Sequence, residues 1–67
     1  MKNNISIFRN ELNITQNQLA KSANISIEDL DAIENNQLEP TLIGAYKITK
    51  ALKKDFIADV FHLNELD

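Results

Sequence analysis

The chain has 67 residues and a net charge of −3, so it is read as one small domain spanning residues 1–67, without the basic surplus usual in nucleic-acid binders. It has no Cys, which excludes a disulfide framework and thiolate metal sites and suits a reducing, cytoplasmic setting. A single Gly and a single Pro leave few sharp breaks, which points to an all-α chain.

Met1, Lys2, Asn3 and Asn4 lead into a mixed segment, not an apolar run, so no signal peptide is expected. No apolar stretch approaches membrane-spanning length, and no membrane association is expected. The first helix is predicted over about residues 4–12. Ile5, Phe8, Arg9 and Leu12 fall at i, i+3, i+4 and i+7 and define its inner face. Arg9 on that face requires a partner, because a buried cation without one is costly. Ile7 points away from the stripe. Asn13 and Ile14 form the connection, with Ile14 turned inward.

The second helix is predicted over residues 16–23. Thr15 and Gln18 fit a capping box, in which the hydroxyl takes the residue-18 amide and the Gln side chain reaches back. A short turn follows at Ala23, Asn24 and Ile25, where Asn tolerates the left-handed backbone of a tight turn. Ser26 caps the third helix, predicted over residues 27–35. Glu28 and Asp29 sit in its first turn, where the positive helix end favours them. Leu19, Ala20, Ala23, Ile25, Leu30 and Ile33 suit two crossed helices sharing a core, the pattern of a helix-turn-helix over about residues 15–36. Leu30, Ile33 and Glu34 face inward. Glu28, Ala32 and Asn35 face outward, with Asp29 and Asp31 flanking them.

Pro40 disfavours helix at Glu39 and ends the loop after the third helix. The fourth helix is predicted over residues 42–53, with Leu42, Ala45, Ile48, Thr49 and Leu52 inside and Tyr46 at the edge. Lys47, Lys50 and Lys54 form a solvated face or dock an acidic protein partner. Asp55 is expected to cap a fifth helix over residues 56–61, with Phe56 and Val60 inward. The tail from His62 either frays or pairs as a short strand with residues 1–3. Phe61, Leu63 and Leu66 are left over as an apolar cluster, which suggests a homodimer through the fifth helix and the C-terminal tail.

Acidity is concentrated in the middle of the chain. Residues 15–39 carry Lys21 against Glu28, Asp29, Asp31, Glu34 and Glu39, a sum of −4. Residues 1–14 sum to +1 and residues 40–67 to zero. His62 is the only His, and Asp59 three residues before it is a possible pairing partner, but no second His or Cys makes a metal site. The only Gly, Gly44, lies inside a helix, so phosphate-loop glycines are lacking. No cofactor and no enzymatic activity are expected.

The ordered set Phe8-Arg9, Ile14-Thr15-Gln16, Leu19-Ala20, Ile25-Ser26, Leu30, Ile33-Glu34-Asn35, Pro40-Thr41-Leu42, Ile48, Ala51-Leu52 and Val60-Phe61 resembles the Cro/lambda-repressor-like (Xre-type) helix-turn-helix regulators. The resemblance covers about residues 5–61. It implies a compact five-helix, lambda-repressor-like domain, in some members with a short terminal β-ribbon. It implies a phosphate contact by Gln16, with Asn17 beside it at the start of the second helix. It implies a third helix in the major groove, with Ile27, Glu28 and Ala32 facing bases and Ser26 and Asp29 beside them. Asn35, Asn36 and Gln37 would lie near the next phosphates. Arg9 and Glu34 match a structural salt bridge of the family, and both also fall on otherwise apolar faces. Two-fold dimers of this type set their recognition helices roughly 34 Å apart on double-stranded DNA. A bacterial or phage source follows from the resemblance alone.

The sequence departs from the family pattern in four places. Asn24 and Lys53 stand where Gly is common, and the loop 36–39 lacks backbone-contacting bases. The third helix carries three outward or flanking acids and no base. Glu28 and Asp29 therefore have two readings, base contact or favourable helix-start charge, and Asp31 reads as a solvated position. Two functions follow. One is a DNA-binding transcriptional regulator of repressor type, acting on a two-fold operator as a homodimer. The other is a protein-interaction module on the same fold, an antirepressor or heterodimer subunit with weak or no DNA binding.

Overall fold

The computed structural model describes residues 1–62. Five helices follow in order: α1 (Ile5–Leu12), α2 (Gln16–Ala23), α3 (Ile27–Glu34), α4 (Leu42–Ala51) and α5 (Ile57–Val60). Their starts are written locally. Thr15 accepts the Gln18 amide and Gln18 returns its side-chain oxygen to the Thr15 amide, which completes the expected capping box. Ser26 caps α3 by accepting from the Asp29 amide at 3.0 Å, and Thr41 caps α4 by accepting from the Gly44 amide at 3.0 Å.

The four longer helices end alike. Asn13, Asn24, Asn36 and Lys53 adopt φ of 58°, 57°, 62° and 62°, the left-handed region. At each stop, two backbone amides turn back onto the last turn in the Schellman pattern. Ile14 and Asn13 donate to Arg9 and Asn10, Ile25 and Asn24 to Ala20 and Lys21, Gln37 and Asn36 to Ala32 and Ile33, and Lys54 and Lys53 to Thr49 and Lys50. Three asparagines and a lysine thus make the reversals for which glycine is the usual residue. The first two stops also bring Ile14 and Ile25 down onto the core.

Ile5, Leu19, Leu30, Ile48, Leu52, Val60 and Phe61 are fully or almost fully buried, with Ala20, Ala23, Ile33 and Ala45 between them. α2 packs most extensively on α4 and also on α3, which fixes the helix-turn-helix pair against the rest of the chain. Thr49 is buried, and its hydroxyl donates to the Ala45 carbonyl at 2.7 Å, so it brings no orphan polar group into the core.

The two ends of the described chain meet. Asn3 and Phe61 form an isolated antiparallel bridge, Asn4 donates to the Val60 carbonyl and His62 to that of Lys2. Among the described residues this is one bridge and not a ribbon of named strands. The expected tail pairing thus extends to Phe61 and His62, and residues 63–67 lie outside the described residues.

Several expectations are corrected. Leu42 is 76% exposed and not part of the α4 inner face. It is the first helical residue, and helical side chains tilt toward the N-terminus, so it leans past the end of the core. Phe56 is 69% exposed while Phe61 is fully buried, the reverse of the expected arrangement. The fifth helix starts at Ile57, which leaves Phe56 outside it, and the chain after Val60 turns extended and pairs with Asn3. Asp55 does not cap this helix; the Asp59 carboxylate accepts the Phe56 amide at 3.1 Å instead. Lys54 is no solvated residue of a lysine stripe, since its ammonium lies 4.2 Å from the Phe8 ring centroid. His62 faces the Asn4 side-chain oxygen at 3.3 Å instead of Asp59.

Candidate nucleic-acid interface

The inner side of α3 is anchored by Leu30 and Ile33 and by an ion pair at its C-terminal end. Arg9 Nε donates to Glu34 Oε2 and Arg9 Nη2 to Glu34 Oε1, both at 3.1 Å, while Nη1 donates to the Ile14 carbonyl at 3.2 Å. The two side chains are only 16% and 8% exposed. The guanidinium therefore satisfies both carboxylate oxygens and also ties the α1–α2 connection to α3. Asn3 adds a second fastening. Its side-chain NH2 donates to the Ile33 carbonyl at 2.9 Å and to Asn36 Oδ1 at 3.4 Å, and its oxygen accepts the Ile5 amide. Sequence reasoning did not single out Asn3, because its role depends on the N-terminal segment crossing the end of α3.

With this side fixed, the other side of α3 presents Ser26, Glu28, Asp29 and Asp31 to solvent, along with Asn35 at its end. Asn36 and Gln37 in the following turn are exposed as well. Ile27 and Ala32 are half-buried, and Ile27 packs on the core while keeping part of its surface outside. At the start of α2, Asn17 is exposed and Gln16 half-buried. Gln16 Nε2 donates to Asp31 Oδ1 at 3.1 Å, so α2 and α3 are joined across the mouth of the motif. Asp31 is therefore a partner of Gln16 and not simply a solvated residue. The sequence holds both residues but no local signal of their meeting, which arises from the helix crossing.

The electrostatics are one-sided. Lys21 is the only base among residues 15–39, and it lies in the last turn of α2. An apolar groove of about 330 Å³ runs between α3 and the start of α4, with Ile25, Ile33, Leu38 and Pro40 in its lining and Asp29 and Glu39 as its charged members. Its acids make it unsuited to phosphate. Among the described residues, no group of three or more His, Cys, Asp or Glu side chains could hold a metal ion, and no helix is long and apolar enough to cross a membrane.

Residues 5–57 match the family model of the helix-turn-helix. Three relatives are similar to this chain. An uncharacterized HTH-type transcriptional regulator of Methanothermobacter thermautotrophicus is 35% identical over 65 residues, covering 97% of this chain and 94% of that protein. One of Archaeoglobus fulgidus is 34% identical over 65 residues, with 97% and 90% covered. One of Methanocaldococcus jannaschii is 40% identical over 50 residues, with 75% and 76% covered.

Proposed function

The chain belongs to the helix-turn-helix family, and from that membership we propose that it is a DNA-binding transcriptional regulator with α3 as its recognition helix. The observation that carries this reading is the presentation of α3. One side is locked by Leu30, Ile33 and the Arg9–Glu34 pair, and the other is left open along Ser26, Glu28, Asp29 and Asp31. A rigid helix with one free face suits insertion into a major groove.

In this reading the start of α2 meets the DNA backbone. The amides of Gln16 and Asn17 lie in the first turn, where helix N–H groups lack intrahelical partners, and they meet a phosphate together with the Gln16 side chain. Glu28 and Asp29 accept from cytosine amino groups, and the outer surface of Ile27 and Ala32 meets thymine methyls. Asn35, Asn36 and Gln37 serve the adjoining phosphates. The protein acts in the cytoplasm as a homodimer on a two-fold operator and carries out no catalysis. Phe61 is buried and leaves the expected apolar cluster, and Leu63 and Leu66 lie outside the described residues. Among the described residues the dimer contact draws on Phe56 at the entry to α5 and on Leu42, Ile43 and Tyr46 on α4.

Glu28→Lys tests the docking. It replaces a repelling charge with an attracting one on the face offered to DNA. General affinity for duplex DNA should rise, and the log–log salt slope should steepen by about 1. Unchanged affinity and slope would contradict groove docking by α3. The acidity of that same face favours a second reading, in which α3 docks a basic protein partner. There Glu28→Lys would weaken the protein complex and leave DNA affinity unmoved.

A further inference from the structure

Asp31 is the acid of α3 that neither the helix dipole nor the Arg9 ion pair accounts for. Glu28 and Asp29 stand in the first turn, where the helix dipole favours a negative charge. Asp31 stands beyond that turn, and aspartate is a poor helix former. Among the described residues, its carboxylate has one partner, the Gln16 amide nitrogen at 3.1 Å. Gln16 in turn is the side chain through which α2 would donate to a DNA phosphate. One donor therefore has two anionic claimants, one built into the fold and one arriving with the ligand.

We propose that Asp31 is a built-in competitor for phosphate, which holds the Gln16 amide in the free protein and thereby limits DNA affinity. The inference rests on the DNA-binding reading above. Binding must either break a hydrogen bond to a charged acceptor or bring a phosphate beside a carboxylate, and both are unfavourable. The penalty falls on a backbone contact, which carries no base information, so it applies to all sequences alike.

A double-mutant cycle tests this on the full chain. Affinity for mixed-sequence duplex DNA at low salt is measured for the wild type, Asp31→Ala, Asp31→Asn, Gln16→Ala and the Gln16→Ala/Asp31→Ala pair. Asp31→Ala should tighten binding roughly three- to ten-fold, the size of one exposed hydrogen bond. The gain should fall to roughly half or less in the Gln16→Ala background, since the two residues share one interaction. Asp31→Asn keeps an acceptor oxygen without the charge and should fall between wild type and Asp31→Ala. An equal gain in both backgrounds would make Asp31 a plain repelling charge and overturn the competition, leaving the DNA-binding reading intact. Weaker binding by Asp31→Ala would overturn it too, by making Asp31 an orienting partner of Gln16. No binding by the wild type or by Glu28→Lys would overturn the DNA-binding reading, and this inference with it.

Discussion

Arg9 donates from all three of its guanidinium nitrogens, two to Glu34 and one to the Ile14 carbonyl, with little of either side chain in water. In so shielded a pair, removing one partner is worse than never having had the pair, because the surviving charge remains poorly hydrated. Glu34→Ala is therefore expected to lower unfolding free energy by about 3 kcal/mol, read from denaturant titration. Arg9→Met with Glu34→Leu should recover most of that loss. A loss of about 1 kcal/mol or less for Glu34→Ala would place the pair among ordinary surface salt bridges. This contact was legible in the sequence, since each charge interrupts an apolar helical stripe. Asn3 and the Gln16–Asp31 bond were not, because each links residues that only the folded chain brings together. The exchange of Phe56 and Phe61 has a similar origin. A one-residue shift in where α5 starts and an extended residue at its end decide which ring is inside, and helical periodicity reports neither.

At the scale of the element, the chain repeats one way of stopping a helix. The left-handed residue is Asn in three cases, and Asn accepts that conformation more readily than most residues with a side chain. Lys53 is the exception, and its Cβ makes φ of 62° unfavourable. Its side chain is exposed, so little packing depends on it. Lys53→Gly should raise stability by about 0.5–1 kcal/mol, seen as a higher thermal midpoint with the native circular dichroism retained. A lower midpoint would mean that the lysine contributes more than its backbone strain removes. Helix starts were the most legible feature, because Thr15, Gln18 and Ser26 act within one turn of where they stand. Inner faces were legible in helix middles and misread at Leu42, where the core ends before the pattern does.

At the scale of the whole molecule, the core joins all five helices, yet several large apolar side chains remain outside it. Leu42, Ile43 and Tyr46 fall in the first half of α4, and Phe56 lies at the entry to α5. A domain this small has a narrow stability margin, and a second copy covering such surface would widen it. Ile43→Glu and Phe56→Ser should each lower the mass in solution from dimer toward monomer, measured by light scattering. A dimer unaffected by both would put the contact elsewhere, and a monomeric wild type would remove the dimer altogether.

The charge distribution sets the most direct test. The helix-turn-helix and the loop after it carry the chain's acidity, with a sum of −4 over residues 15–39, and the motif still has a free face on α3 and open amides at the start of α2. If those groups bind phosphates, binding at low salt must survive the acidic surface, and with Lys21 as the only base of the segment few counterions are released, so the dependence on salt is shallow. The deciding measurement is a salt titration of wild-type binding to mixed-sequence duplex DNA, from low to physiological ionic strength. The account predicts clear binding at low salt with a log–log slope that is negative and linear. No binding even at low salt would contradict it and turn the acidic face of α3 into a surface for a protein partner.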